Sequence, residues 1–406
     1  MQTLYKRLLQ YKYIPEQCEN QLKSYKYNGI DNSILYNYIF GPLAEQFLRP
    51  NTVKKKIQIY NIKIQKITLI GFICVMIPHL LILWIAPGDE SKDIPKWLII
   101  FTGIMHLVYM NFDNMDGKQA RKTGNSSPLG LLIDHGCDAL IVTIQGMSLS
   151  ACVGFGNSYL MYSLNLCGSV PFFITTLDEY YTDIMYLPLI NGAAEGCFSI
   201  GVVYLFTAYM GNEYWLKDSI WGLKNNSITV IGFYAASVFA TLNILYRIYQ
   251  VKGFETLKKL IKNTSQFFFI HFTITYIFAF SPSNVSLQQT RILTYISALC
   301  WCRVVVINKQ KKKFKKFIFK IVNNIIVSRN TVYGNIFGKC LVCEATLLYI
   351  VFIVCLLCNI KNQQIIYINI FKAYAHLVYN GTNQLCDILK IKVFRVKQKI
   401  LENKKY

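Results

Sequence analysis

Residues Asn111–Leu140 read NFDNMDGKQARKTGNSSPLGLLIDHGCDAL and contain four aspartates in two pairs. The four are Asp113, Asp116, Asp134 and Asp138. The first pair is three residues apart and the second pair four, and both spacings place two side chains on one face of a helix. Between the pairs, the glycine and proline of GNSSP (residues 124–128) end one helix and start another. The sequence therefore predicts two facing helices that bring four carboxylates together.

The composition places this segment in a membrane protein. The chain has 406 residues, 53% of them hydrophobic and only 16% charged, against roughly 25% charged in soluble domains. The net charge of +22 is carried by too few charged residues to form the dense basic surface of a nucleic-acid-binding protein. We predict an all-α, polytopic integral membrane helical bundle with no nucleic-acid partner.

About ten windows come near the roughly 20 apolar residues that a transmembrane helix needs. They are Ile67–Ala86, Trp97–Asn111, Ala139–Phe155, Tyr159–Thr176, Ala193–Gly211, Ile228–Tyr249, Phe267–Ser281, Ile292–Ile307, Asn335–Leu357 and Ile365–Cys386. Lysine and arginine are sparse in alternate loops, such as Pro282–Thr290, and concentrated in Lys309–Lys320 and Lys390–Lys405. The positive-inside rule then predicts that both termini and the 113–138 segment face the cytosol.

The chain divides into four predicted parts. They are a cytoplasmic amphipathic arm (1–66), a catalytic membrane core (67–250), C-terminal transmembrane helices (251–386) and a basic cytoplasmic tail (387–406). Two stretches, 53–66 and 358–371, have a low-complexity bias towards lysine, isoleucine and asparagine. We interpret both stretches as insertions, of the kind that a translated non-coding segment would produce.

The chemistry of the aspartate segment favours a divalent cation. Four carboxylates at a membrane edge require positive charge nearby, and oxygen ligands favour Mg²⁺, Mn²⁺ or Ca²⁺ over zinc. Gly117 and Gly130 leave room for a phosphate-bearing ligand, and Arg121 can bind phosphate through two hydrogen bonds. The alternative is that the aspartates cap helices or pair with Lys118 and Arg121, but the number of aspartates and the interleaved glycines argue against it.

The motif Asp113-x-x-Asp116-Gly117-x-x-Ala120-Arg121, followed after eight residues by Gly130-x-x-x-Asp134-x-x-x-Asp138, resembles the signature of the CDP-alcohol phosphatidyltransferase family at all eight fixed positions. The surrounding DGKQAR, SSPLG and DHGCD are similar to the eukaryotic cholinephosphotransferase and ethanolaminephosphotransferase branch. One departure is Leu131, which stands where that branch usually has an acidic residue. Further similarity lies in YKYNGIDNSIL (25–35) and LPLINGAAEG (187–196).

This resemblance implies a reaction and its participants. Phosphocholine or phosphoethanolamine would pass from CDP-choline or CDP-ethanolamine to diacylglycerol in the bilayer, giving phosphatidylcholine or phosphatidylethanolamine and releasing CMP. The four aspartates would hold Mg²⁺ or Mn²⁺, two ions in all. His135 would accept the diacylglycerol proton, with Asp138 as the second candidate base. The residues implied for the CDP-alcohol are Asn51, Gly117, Ala120, Arg121 and Gly130. The resemblance also implies a homodimer in the endoplasmic reticulum or Golgi.

Three alternatives stand beside this interpretation. Another family member would transfer a phosphatidyl group from CDP-diacylglycerol to inositol or glycerol phosphate, although DHGCD favours the aminoalcohol branch. A transporter would show ionisable residues through the membrane midplane and inverted repeats, and neither is evident. His135 has a purely structural interpretation as a helix-surface donor to an aspartate. The sequence does not distinguish choline from ethanolamine as head group.

Overall fold

The computed structural model describes residues 28–47, 64–87, 93–123, 126–280 and 290–312, and some residues between 375 and 390. In these ranges most of the chain is helical, and two short strands and several loops complete it. The elements are β1 (Gly29–Asp31), α1 (Gly41–Phe47), α2 (Ile64–Ile85), α3 (Lys96–Thr123), α4 (Pro128–Cys152), α5 (Tyr159–Thr182), β2 (Met185–Leu187), α6 (Cys197–Met210), α7 (Asn225–Lys252), α8 (Phe254–Phe280) and α9 (Thr290–Lys312). Two π-helical turns, Tyr36–Phe40 and Gly192–Gly196, lead into α1 and α6.

Five of the described helical segments are long and apolar enough to cross a membrane. They are Gln65–Ile85, Pro128–Cys152, Tyr159–Thr182, Gly192–Met210 and Asn225–Lys252. Helices suit this environment because the hydrocarbon core offers no water to backbone amides and carbonyls. The predicted helical class is confirmed, with five candidate membrane spans. The predicted spans that begin at Trp97, Phe267 and Ile292 also fall on helices (α3, α8 and α9). The ninth predicted span and most of the tenth lie outside the described residues, so ten spans stays a prediction.

Helix α4 is in contact with α2, α5, α6 and α9. Two glycines let α4 and α5 pack closely, as small residues do in membrane helices. A Cβ atom on Gly146 would lie 2.7 Å from Asn165 Oδ1, and one on Gly168 would lie 2.8 Å from Val142 Cγ1. This close packing fixes the helix that carries the second aspartate pair.

Residues 28–47 form an N-terminal strap that is joined to the loop between α5 and α6. Strand β1 pairs with β2 in parallel, with Ile30 opposite Tyr186. Glu195 Oε1 accepts hydrogen bonds from Ser33 Oγ at 2.6 Å and from the Leu35 amide at 3.1 Å. These contacts join segments 160 residues apart and hold the strap over one end of the bundle.

The predicted division of the chain into four parts stays a prediction. Of the stretch 53–66, residues Ile64, Gln65 and Lys66 form the first turn of α2, and Gln65 is buried. The remainder of that stretch, the stretch 358–371 and the basic tail beyond Lys390 lie outside the described residues.

Candidate active site

The two helices that carry the aspartates are separated by the predicted break. Helix α3 ends at Thr123 and α4 begins at Pro128. Ser127 caps α4, because its Oγ accepts the Gly130 amide hydrogen at 3.1 Å, and proline is well suited to the first helical position. The chain reverses between the two helices, and carboxylates from both helices approach one another.

The aspartates converge in this arrangement, and we call Asp113, Asp116, Asp134 and Asp138 the acidic cluster. Each of the first three offers one carboxylate oxygen, and these oxygens lie within 4.8 Å of one another. Asp116 is 3% exposed and accepts a hydrogen bond from Thr68 Oγ1 of α2 at 2.6 Å. Asp138 accepts one from the Tyr109 hydroxyl at 3.0 Å.

The donor set of the acidic cluster fits a hard divalent cation. All of its ligand atoms are carboxylate oxygens, and Mg²⁺, Mn²⁺ and Ca²⁺ prefer oxygen ligands. Several carboxylates so close together repel one another, and a bound cation removes that cost. The hydrogen bonds from Thr68 and Tyr109 orient two of the carboxylates from outside the cluster, as supporting residues do in metal sites.

The acidic cluster lines a cavity of about 670 Å³, and so do all eight fixed positions of the signature. The cavity wall therefore contains Gly117, Ala120, Arg121 and Gly130, which the sequence assigned to the CDP-alcohol. At its other end the wall is apolar and formed by α4, α5 and α7. This part includes Leu149, Leu164, Phe172, Phe233, Ala240 and Ile244. The cavity thus joins a charged region to an apolar region between helices.

His135 belongs to the same wall, between the two aspartates of α4. Its side chain is buried, and its Nε2 lies 3.9 Å from Asp134 Oδ2. The ring packs against Phe172, with the two centroids 6.2 Å apart. The imidazole therefore lies beside the acidic cluster, on the side where the cavity becomes apolar.

Arg121 and Gly117 are adjacent at the charged end. Arg121 Nη2 donates to the Tyr36 hydroxyl of the strap at 3.0 Å. A Cβ atom on Gly117 would lie 3.4 Å from Arg121 Nη1, so glycine leaves space beside the guanidinium. Asn51, the remaining residue assigned to the CDP-alcohol, lies outside the described residues.

The sequence alone gave no role to several residues of the cavity wall, including Asp31 and Tyr36 of the strap and Gln145, Asn191 and Glu195. Burial raises the pKa of the Asp31 carboxyl and that of the Tyr36 hydroxyl above their ordinary values. Some of these residues fall in the segments 25–35 and 187–196, which are similar to the family. No local pattern indicates that the two segments pair as strands, because the pairing joins distant parts of the chain.

The comparison with known families agrees with this geometry. Residues 65–257 match the family model for CDP-alcohol phosphatidyltransferase, and the matched region contains the whole acidic cluster. This part of the chain is therefore similar to that family. The matched region covers α2 to α7 and the start of α8, which together supply most of the cavity wall.

Two similar proteins, from Arabidopsis thaliana and Saccharomyces cerevisiae, are named choline/ethanolaminephosphotransferase. The chain is 36% identical over 197 residues to choline/ethanolaminephosphotransferase 1 of Arabidopsis thaliana, covering 48% of each chain. It is 35% identical over 195 residues to the uncharacterized CDP-alcohol phosphatidyltransferase class-I family protein 3 of Dictyostelium discoideum, covering 48% of this chain and 47% of that protein. The chain thus spans about half the length of these two relatives. Choline/ethanolaminephosphotransferase 1 of Saccharomyces cerevisiae is 26% identical over 334 residues, which cover 75% of this chain and 81% of the yeast protein.

Proposed function

We propose that this protein transfers phosphocholine or phosphoethanolamine from CDP-choline or CDP-ethanolamine to diacylglycerol. The observation that carries the proposal is the single cavity wall shared by all eight signature positions and His135. The names of the Arabidopsis and yeast relatives support the same head groups. The products would be phosphatidylcholine or phosphatidylethanolamine and CMP.

The charged end of the cavity suits the diphosphate of the donor. We assign the four carboxylates of the acidic cluster to Mg²⁺ or Mn²⁺, two ions in all, which would neutralise the diphosphate and stabilise the leaving CMP when bound. Arg121 would donate to a phosphate oxygen, and Gly117 lies beside its guanidinium. Gly130 lines the same cavity wall. Ala120 lines the same wall. We keep Asn51 as a candidate nucleotide contact.

The reaction itself is an exchange of one phosphorus–oxygen bond for another. The diacylglycerol hydroxyl oxygen attacks the phosphorus that carries the choline or ethanolamine. The bond from that phosphorus to the bridging oxygen breaks, and its electron pair leaves on the CMP phosphate. We assign the hydroxyl proton to His135, which lies beside Asp134 on the cavity wall, with Asp138 as the second candidate. A positioned general base contributes roughly 10²–10⁴ in rate.

The apolar end of the cavity suits the acceptor. Its wall lies between α4, α5 and α7, each long and apolar enough to cross a membrane. Acyl chains occupying this region would keep their carbon atoms away from water while the hydroxyl reaches the acidic cluster. We place the acidic cluster and both termini on the cytosolic side of the endoplasmic reticulum or Golgi membrane, because basic residues concentrate on that side.

One assay tests the proposal. Purified protein with Mg²⁺, diacylglycerol and radiolabelled CDP-choline or CDP-ethanolamine is expected to form labelled phospholipid and an equal amount of CMP. The inactive control is Asp116→Asn, which keeps the size of the side chain. A parallel reaction offers CDP-diacylglycerol with inositol or glycerol phosphate. Product only in this parallel reaction would replace the proposal by the other family chemistry, and product in neither would refute transferase activity.

A further inference from the structure

The cavity wall carries an uncharged polar side chain beyond the acidic cluster. Gln145 lies on α4 and lines the cavity, although the side chain is only 4% exposed. It is seven residues from Asp138, which is nearly two helical turns and a rise of about 10 Å along the same face. The residues around it on the wall are Ile141, Val142, Gly146 and Leu149. Burying an amide in an apolar part of a membrane helix costs free energy unless its polar atoms are hydrogen-bonded, so such residues usually have a function.

The orientation of this amide follows from its neighbours. His106 Nε2 lies 2.6 Å from the Cys197 carbonyl oxygen, and a carbonyl can only accept, so Nε2 carries the hydrogen. In the neutral imidazole Nδ1 is then an acceptor. Gln145 Nε2 lies 2.6 Å from this Nδ1 and donates to it. The Tyr204 hydroxyl donates to the Gln145 backbone carbonyl at 3.4 Å.

These contacts determine what Gln145 can offer to a molecule in the cavity. One hydrogen of its amide nitrogen is used by His106, which leaves a second N–H donor and a carbonyl oxygen that accepts. The complementary ligand group is therefore uncharged and polar, joined to apolar chains on one side and to the reacting hydroxyl on the other. The ester carbonyls of a diacylglycerol meet this description, because they stand a few bonds from the hydroxyl, at the start of the acyl chains.

We propose that Gln145 is a specificity-determining residue that donates its second amide hydrogen to an ester carbonyl of the acceptor lipid. The inference rests on the proposed function for the class of lipid. It adds that the site distinguishes acceptors by the linkage of their chains, favouring diacyl over dialkyl glycerols. The reason is that an ether oxygen is a poor substitute for a carbonyl, so an ether-linked lipid leaves a buried donor unpaired.

The test measures lipid binding in the absence of any CDP-alcohol, so the result can be interpreted even if the protein shows no transfer activity. Purified protein is incubated with tritiated diacylglycerol, and unlabelled diacylglycerol or the matching dialkylglycerol competes for binding. Because the dialkyl lipid leaves a buried donor unpaired, the unmodified protein is expected to prefer the diacyl lipid by about 10-fold, which corresponds to about 1.4 kcal/mol. Equal binding of the two lipids by the unmodified protein would overturn the proposal without any variant.

Two variants test whether Gln145 causes the preference for the diacyl lipid. Gln145→Met keeps the length of the side chain and removes the amide, and it is expected to bind the two lipids within about 2-fold of each other. Thr143→Val is the matched control, because Thr143 is buried on the same helix but lies outside the cavity wall, and it should keep the full preference. A Met variant that retains the preference for the diacyl lipid would assign it to another residue and overturn the role of Gln145. Loss of transfer with the binding preference intact would speak against the proposed function only.

Discussion

Replacing Thr68 by valine tests how far the geometry of the acidic cluster depends on α2. Thr68 is buried and its Oγ1 donates to Asp116 Oδ2 at 2.6 Å. Valine has nearly the same shape, so the change removes the donor and leaves the packing between α2 and α3 in place. We expect the carboxylate of Asp116 to lose its orientation and the protein to need more Mg²⁺.

The size of the effect follows from the kind of hydrogen bond that is lost. A hydrogen bond to a charged group contributes about 1.5–3 kcal/mol, and loss of a supporting contact in a metal site typically lowers metal affinity about 10–100-fold. The Mg²⁺ concentration for half-maximal transfer should therefore rise about 10–100-fold. The maximal rate at saturating Mg²⁺ should change much less, because all four carboxylates are still present.

The assay is the rate of phospholipid formation measured across a range of free Mg²⁺ at saturating donor and acceptor. Thr102→Val is the matched control, since Thr102 Oγ1 donates at 2.7 Å to the Leu98 carbonyl of its own helix, α3. This control should keep the Mg²⁺ dependence of the unmodified protein. Superimposable Mg²⁺ curves for Thr68→Val and the unmodified protein would refute a role for Thr68 in orienting a metal ligand.

Four further predictions concern the metal, the base, the strap and the orientation. Chelation with EDTA should abolish transfer, and Mg²⁺ or Mn²⁺ should restore it. Changing Asp113, Asp116 or Asp134 to alanine should lower the rate at least roughly 10²-fold. Full turnover in EDTA would contradict the metal dependence and the metal-binding role of these aspartates. His135→Ala should lower kcat by roughly 10²–10⁴ with the KM for the donor little changed, and an unchanged kcat would transfer the role of base to Asp138. Glu195→Ala removes the carboxylate of the α5–α6 loop that accepts hydrogen bonds from Ser33 and Leu35 of the strap, so limited proteolysis should cut the strap faster, whereas unchanged cleavage would show that the other contacts of the strap hold it without Glu195. Cysteines placed near Lys92 and Lys311 should be protected and labelled, respectively, in sealed microsomes, and the reverse pattern would refute the orientation.

The acidic cluster could be predicted from the sequence because its geometry is largely local. Within each pair, the positions of the aspartates on a helix follow from their separation of three or four residues. The segment GNSSP, which lies between the two pairs, ends the first helix and starts the second. The capping of α4 by Ser127 is local too, since the Gly130 amide is only three residues away. A hydrogen bond such as that from Thr68 to Asp116 could not be predicted, because it depends on how α2 packs against α3.

The sequence by itself determined the helical membrane class, the segment that holds the aspartates and the chemistry those residues favour, because hydropathy and helical spacing act over one or two turns. The tertiary structure alone decided which other residues share the cavity with the aspartates. Asp31 and Tyr36 reach it because β1 pairs with β2, and Gln145 acquires its orientation from His106 of another helix. Contacts of this kind join residues tens to more than a hundred positions apart, and they form only when packing of the apolar helix faces has fixed the helices side by side.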